Sequence, residues 1–122
     1  MPRLIKGPSR RLGQLRPADT IAGTLWTSPF FSQFEVTLVN CVNVSTGDSK
    51  ISIFHDPDGS TYDEDTALVY EYTIGPGDLF QFEAQKSIVG YKAGETIGVQ
   101  SSVANAVNFK AYGRVNDEEV VP

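Results

Sequence analysis

A strict alternation of residues near the C-terminal end of the chain limits the possible folds more than any other feature. The segment 97–102 reads Ile-Gly-Val-Gln-Ser-Ser, and the segment 107–112 reads Val-Asn-Phe-Lys-Ala-Tyr. A period of two residues places one side of a strand in a core and the other side in solvent. The two segments flank a turn at Asn105, so they predict either a β-hairpin or two strands that cross between sheets. Because a lone hairpin is only marginally stable in water, the rest of the chain must supply further strands.

Turn residues divide the rest of the chain into more short segments with strand patterns. These predicted strands are Thr20–Trp26, Phe34–Asn43, Lys50–Phe54, Thr66–Ile74, Phe80–Ala84 and Ser87–Val89. The alternation in the second of them puts Phe34, Val36, Leu38 and Val42 on one side. The turn signal Ser45–Asp48 predicts that the second and third of these strands form an antiparallel hairpin. The total of seven or eight short strands, about 8–12 residues apart, predicts an all-β fold, a single antiparallel β-sandwich or jelly roll without helices.

Charge is distributed unevenly along the 122 residues. Residues 1–18 contain five of the ten basic residues and no acidic one, whereas all fifteen acidic residues follow them. Proline and glycine interrupt any strand or helix period in this segment. We therefore predict an extended basic N-terminal arm over 1–18, a β-sandwich domain over 19–115 and an acidic C-terminal tail over 116–122. We expect the arm to be disordered when free and fixed on assembly. Since the body is acidic, nucleic acid is not an expected partner.

The chain offers little chemistry for catalysis. The segment His55–Asp65 contains five carboxylates, which raises a calcium hypothesis, but their spacing does not match a calcium-binding loop. A solvated acidic loop is the favoured interpretation, and His55 is interpreted as structural. Cys41 is the only cysteine, so an internal disulfide is excluded and a buried thiol is expected. We predict no catalytic residue, no cofactor, no metal and no membrane segment, and hence no enzyme.

The chain resembles a family of small virion structural proteins of tailed bacteriophages in the order of its motifs. The motifs that carry the resemblance are Gly13–Leu15, Leu25–Thr27, Val39–Asn40, Ala67–Leu68, Ala93–Ile97 and Val107–Asn108 followed by Gly113. They span about residues 13–114. The chain departs from the family pattern in two places, because its N-terminal arm is longer and more basic and its acidic loop carries more charge.

The resemblance implies a β-sandwich that serves as a capsid decoration (cement) protein or as a tail, collar or fibre-attachment component, commonly as a trimer. The implied location is the virion, after synthesis in the host cytoplasm, and the implied partners are the major capsid protein or other virion proteins. An arm laid over a neighbouring capsid subunit adds contact area, and a basic arm suits an anionic surface. The candidate arm residues that bind a partner are Arg3, Leu4, Ile5, Lys6, Arg10, Arg11, Leu12 and Arg16, and the candidate interface aromatics are Phe30, Phe31 and Tyr62.

A carbohydrate-binding module is the alternative from a different functional class. Jelly rolls include lectin domains, and aromatic side chains are suitable platforms for sugars. In that hypothesis the site consists of Trp26 and the loop Tyr62–Asp65. For Trp26, a place in the core is the favoured interpretation.

Overall fold

The computed structural model describes residues 9–28, 34–57, 59–90 and 94–115, and for residues 84–90 it describes the backbone alone. The regular elements in these ranges are eight strands. They are β1 (Arg10–Leu15), β2 (Gly23–Thr27), β3 (Phe34–Asn43), β4 (Ser49–Asp56), β5 (Ala67–Ile74), β6 (Leu79–Gly90), β7 (Thr96–Ser101) and β8 (Val107–Val115). Within the described ranges, no helix is long and apolar enough to cross a membrane.

The strands form two antiparallel sheets of four strands each. Sheet A has the order β1-β8-β3-β6, and sheet B has the order β2-β7-β4-β5. The pairing is nested, since β4 pairs with β5, β3 with β6, β2 with β7 and β1 with β8. This strand order is that of a jelly roll, so the predicted all-β sandwich is confirmed. Strands β7 and β8 lie in different sheets, which confirms the crossing alternative over the hairpin.

One core lies between the two sheets. Sheet A contributes Phe34, Val39 and Phe109, and sheet B contributes Ile53 and Val99, all at most 1% exposed. Full burial of an apolar side chain of this size stabilises the folded state by about 1.5–3 kcal/mol. Cys41 is among these residues, as the sequence predicted, and its thiol is free.

The predicted apolar side of β3 is only half right, because the strand contains a β-bulge. Its register against both neighbours shifts between Val36 and Leu38. A shift by one residue exchanges the two sides of a strand. Beyond the bulge, Val39 and Cys41 are therefore fully buried, whereas Leu38 and Val42 are only partly buried.

The predicted hairpin between β3 and β4 is wrong, because the two strands lie in different sheets. The fully buried side chain of Asn43 connects the sheets at this point. Its Nδ2 donates to the carbonyl oxygens of Gly47 and Ile74 at 2.9 and 3.0 Å, and its Oδ1 accepts the Ser45 N–H at 2.9 Å. These bonds fix the turn after β3 and tie it to the end of β5, so the chain passes from sheet A to sheet B.

The predicted arm over 1–18 is too long, because residues 10–15 form strand β1 at the edge of sheet A. The prolines and glycines that argued against a strand lie outside β1 or, in the case of Gly13, at a register shift within it. Leu12 and Leu15 pack partly buried against the core. Residues 1–8 and the tail 116–122 lie outside the described residues. The two short strands predicted over 80–89 are one strand, β6.

Candidate functional site

The outer face of sheet B carries two adjoining cavities that share Gln100. The larger, of about 390 Å³, is lined by the aromatic residues Phe54, Tyr62 and Tyr70 and by the carboxylates Asp63, Glu64 and Asp65. The smaller, of about 170 Å³, is lined by Lys50, Ser52, Glu71 and Ser102. We call the two cavities together the outer groove. Its floor consists of β4 and β7, the two central strands of the sheet.

Tyr62 lines the larger cavity, and its ring lies flat on the sheet. Its ring stacks on Phe54, with the centroids 5.6 Å apart and the planes at 28°. Its hydroxyl shares a hydrogen bond of 2.7 Å with Oγ1 of Thr24 on the edge strand β2. Gly98 on β7 lies beneath the ring, and a Cβ at this position would come within 2.5 Å of the Tyr62 carbons. Tyr62 is thus held at both ends, and it covers Phe54, which is 1% exposed although it faces away from the core.

The loop between β4 and β5 is anchored by its own polar groups. Oδ2 of Asp56 accepts the Thr61 N–H at 2.7 Å, and the Thr96 hydroxyl donates to the Gly59 carbonyl at 2.5 Å. Oδ1 of Asp63 accepts the Asp65 N–H at 2.9 Å. Two carboxylates of the acidic segment therefore hold the loop in shape. Among the carboxylates, cysteine and histidine that the structure describes, no group of three is placed to hold a metal ion, and Asp58 lies outside this set.

His55 makes a polar contact that the sequence did not indicate. Its Nε2 lies 3.1 Å from Oε1 of Glu95, and the side chains are 22% and 9% exposed. The Glu95 N–H donates to Oγ of Ser28, and the Glu95 carbonyl accepts the Ser28 N–H. The sequence placed Asp56 beside His55, but the ring is paired with the turn that precedes β7. This arrangement ties the end of β4 to that turn and supports the structural interpretation of His55.

Negative charge collects around Tyr70. The carboxylate of Glu71 raises the pKa of the Tyr70 phenol above its ordinary value, and desolvation and Glu64 add smaller contributions. The phenol thus remains a hydrogen-bond donor throughout the neutral range. Glu71 itself has a positive φ of 52°, and its N–H donates to Oγ of Ser52 in the neighbouring strand. This local twist belongs to a register shift in β5 opposite Ser52, on the floor of the smaller cavity.

The arm residues assigned from the sequence have different positions. Arg11 donates to the side chain of Gln14 at 2.8 Å, and Nε of Arg16 donates to the Asn105 carbonyl at 2.9 Å. Arg10 starts β1, and Leu12 belongs to the same strand. The remaining assigned residues, Arg3, Leu4, Ile5 and Lys6 of the arm and the aromatics Phe30 and Phe31, lie outside the described residues.

Of the sequence-predicted carbohydrate site, only one part lines the groove. The loop Tyr62–Asp65 does, but Trp26 packs edge-on against Phe34 of sheet A with the centroids 5.0 Å apart. Sequence reasoning missed Tyr70, Gly98 and Gln100. Gly98 was a usable signal for the site. A glycine at a solvent-facing position of an alternating strand leaves room for a group that lies on the sheet.

Comparisons of the chain with models of protein families, with curated proteins and with solved structures found no match.

Proposed function

We propose that the chain is a non-enzymatic structural protein of a bacteriophage virion, with capsid decoration as its role and the major capsid protein as its partner. The observation that carries this proposal is the nested pairing of eight strands into a jelly roll. Viral capsid proteins, lectins and cupins are among the classes in which this architecture recurs. The order of sequence motifs favours the virion role among them.

The motifs behind the resemblance occupy constrained positions in this fold. A Cβ at Gly13 would collide with the Leu25 carbonyl, and one at Gly113 would collide with the Glu35 carbonyl, so both positions require the absence of a side chain. Glu95 and Thr96 bind His55 and the Gly59 carbonyl from the turn before β7. Three of the six motifs therefore stand at contacts between strands and loops, which is where a shared fold restricts the sequence. This supports a common architecture as the basis of the resemblance.

The docking segment that we propose is shorter than the arm predicted from the sequence. Since β1 belongs to sheet A, the proposed docking segment consists of residues 1–8, which contain Arg3 and Lys6. It leads directly into Arg10 and Arg11 at the start of an edge strand. An anionic capsid surface attracts such a segment, and salt weakens the attraction. In this proposal the sandwich forms a homotrimer, so that three segments act together and gain avidity.

The test asks whether the protein is part of purified virions and whether the purified protein binds stripped capsids. The protein should be found in purified virions, and gold-labelled antibodies should bind the head surface. Purified wild-type protein should bind stripped capsids, whereas the Arg3→Gln/Lys6→Gln variant should bind at least about tenfold more weakly at low salt and differ less from wild type at high salt. Absence from purified virions would overturn the proposal. Labelling of the tail or collar alone would overturn the decoration role in favour of a tail-associated one.

A further inference from the structure

We propose that the outer groove is a binding site for a neutral oligosaccharide. This inference rests on the groove alone and holds whether or not the chain is a capsid protein.

The shape of the groove suits a short linear ligand. Its two cavities follow β4 from Phe54 to Lys50 and meet at Gln100 of the adjacent strand. Four residues of strand extend about 13 Å. The groove lies on the face of the sheet, over β4 and β7, so the free backbone of an edge strand is not its main surface. An extended peptide that adds to a sheet needs such an edge.

The aromatic residues at one end supply a platform for the apolar face of a sugar ring. Tyr70 is 48% exposed, and Tyr62 is half-buried and already fixed by Phe54 and Thr24. A platform that is ordered before the ligand arrives loses little conformational entropy on binding. Each tyrosine also combines an apolar ring with a hydroxyl at its tip. This combination matches a ligand whose rings carry C–H groups on their faces and hydroxyls at their rims.

The polar groups of the groove match ligand hydroxyls, which donate and accept at once. Carboxylates on the loop are acceptors that form strong hydrogen bonds with hydroxyl donors. Nε2 of Gln100 donates to the Thr20 carbonyl at 2.9 Å, which fixes its amide at the junction of the cavities. Oγ of Ser102 accepts the Lys50 N–H at 2.8 Å and lies 3.5 Å from Oγ of Ser49, and the Lys50 ammonium that lines this end is a donor. Both ends of the groove therefore offer donors and acceptors, with carboxylates and the Tyr70 phenol at the aromatic end.

The charge of the groove selects among saccharides. Four carboxylates, Asp63, Glu64, Asp65 and Glu71, face a single cation, Lys50. A sulfated or uronic-acid glycan would meet repulsion along most of the groove, and nucleic acid is excluded for the same reason. A neutral glycan meets no such penalty and uses the carboxylates as hydrogen-bond acceptors.

The test uses the full-length protein on a glycan array that carries neutral, sulfated and uronic-acid oligosaccharides. Short oligomers of glucose, mannose and N-acetylglucosamine are the neutral members. We expect binding to at least one neutral oligomer and none to the anionic ones. Titration calorimetry with the strongest neutral oligomer then compares Tyr70→Ala with Tyr72→Ala. The two tyrosines lie on the same strand and are 48% and 49% exposed, but Tyr72 does not line the groove and contacts Phe80.

We expect Tyr70→Ala to weaken binding by about tenfold or more and Tyr72→Ala to leave it within about twofold. Thermal unfolding of both variants checks that the comparison is made on folded protein. Gln100→Ala, at the junction, should weaken long oligomers more than disaccharides. A silent array, binding of anionic glycans alone, or equal losses in the two tyrosine variants would overturn the assignment.

Discussion

At the scale of single residues, Gly98 decides whether the loop after β4 can lie on the sheet. Its missing side chain leaves the space that the Tyr62 ring occupies, at 2.5–2.6 Å from where a Cβ would stand. We predict that Gly98→Ala lifts the ring, breaks the hydrogen bond to Thr24 and destabilises the fold by about 1–3 kcal/mol, as overpacking does. Urea unfolding at neutral pH measures the change.

The control for this variant is Gly47→Ala. A Cβ at Gly47 meets no atom within 4 Å, so the same chemical change has no steric cost there. A double-mutant cycle adds a second check, because Gly98→Ala should cost little in a Tyr62→Ala background if the ring is its only obstacle. Equal effects of the two glycine substitutions, or an undiminished cost in the double variant, would contradict this account of Gly98.

The buried thiol of Cys41 leads to a second prediction at the scale of single residues. Burial raises its pKa from 9.0 to about 12. The unfolded chain therefore loses this proton at a lower pH than the folded chain, so the stabilisation is complete below about pH 9 and is lost as the pH rises toward 12. Between about pH 9 and pH 10 we expect the wild type to lose about 1 kcal/mol more stability than Cys41→Ala, which cannot titrate there.

Urea unfolding of both proteins across this range measures the difference in slope. The Cys41→Ala variant is the control for the other titrating groups, because it retains all of them. The native thiol should also resist a thiol reagent at neutral pH until the protein unfolds. Parallel pH profiles, or rapid labelling of the native protein, would show that Cys41 ionises as readily when folded as when unfolded.

At the scale of elements, β1 shows what a strand at the edge of the sheet contributes. Deletion of residues 1–8 leaves β1 intact, so we predict a free energy of unfolding within about 0.5 kcal/mol of wild type. Deletion of residues 1–16 removes the strand, takes Leu12 and Leu15 from the core and exposes the backbone of β8. We predict a loss of about 3 kcal/mol or more and aggregation through the new edge.

Urea unfolding and light scattering distinguish the two deletions. The shorter deletion is the matched control, since it removes the same N-terminal end but no described strand. If both deletions had the same effect, residues 10–15 would behave as part of the arm, as their proline and glycine neighbours had suggested, and the place of β1 in sheet A would be wrong.

The sequence predicted strands better than it predicted their partners. The bounds of β3 were right, because its apolar and β-branched residues mark a strand locally. Its buried side was right only as far as Val36, because the bulge that follows depends on strands distant in the sequence. For the same reason the groove was found only in part. Tyr62 was identified as a candidate contact, whereas Tyr70 and Gln100 join it only through the order β7-β4-β5.

At the scale of the whole molecule, the two proposed functions use different sheets. The docking segment leads into β1 at the edge of sheet A, whereas the outer groove lies on the face of sheet B. Positive charge is concentrated in the first 18 residues, and the acidic residues follow them. A subunit that docks through its N-terminal segment could therefore keep the outer groove accessible. The two activities would then respond differently to salt, because only the first depends on attraction between charges.

The nested topology also predicts the order of folding. Ile53 on β4 pairs with Val69, 16 residues away, whereas Leu15 on β1 pairs with Phe109, 94 residues away. Closing the longer loop costs about 1.6 kcal/mol more in chain entropy if it closes first. We therefore expect β4 and β5 to pair early and β1 to dock late.

Ile53→Val should slow folding, with a φ-value above 0.5, whereas Leu15→Ala should mainly speed unfolding, with a φ-value near zero. Stopped-flow chevrons measure both, and a φ-value for Leu15 equal to or above that for Ile53 would contradict the proposed order, since it would place the outermost strand pair in the folding nucleus.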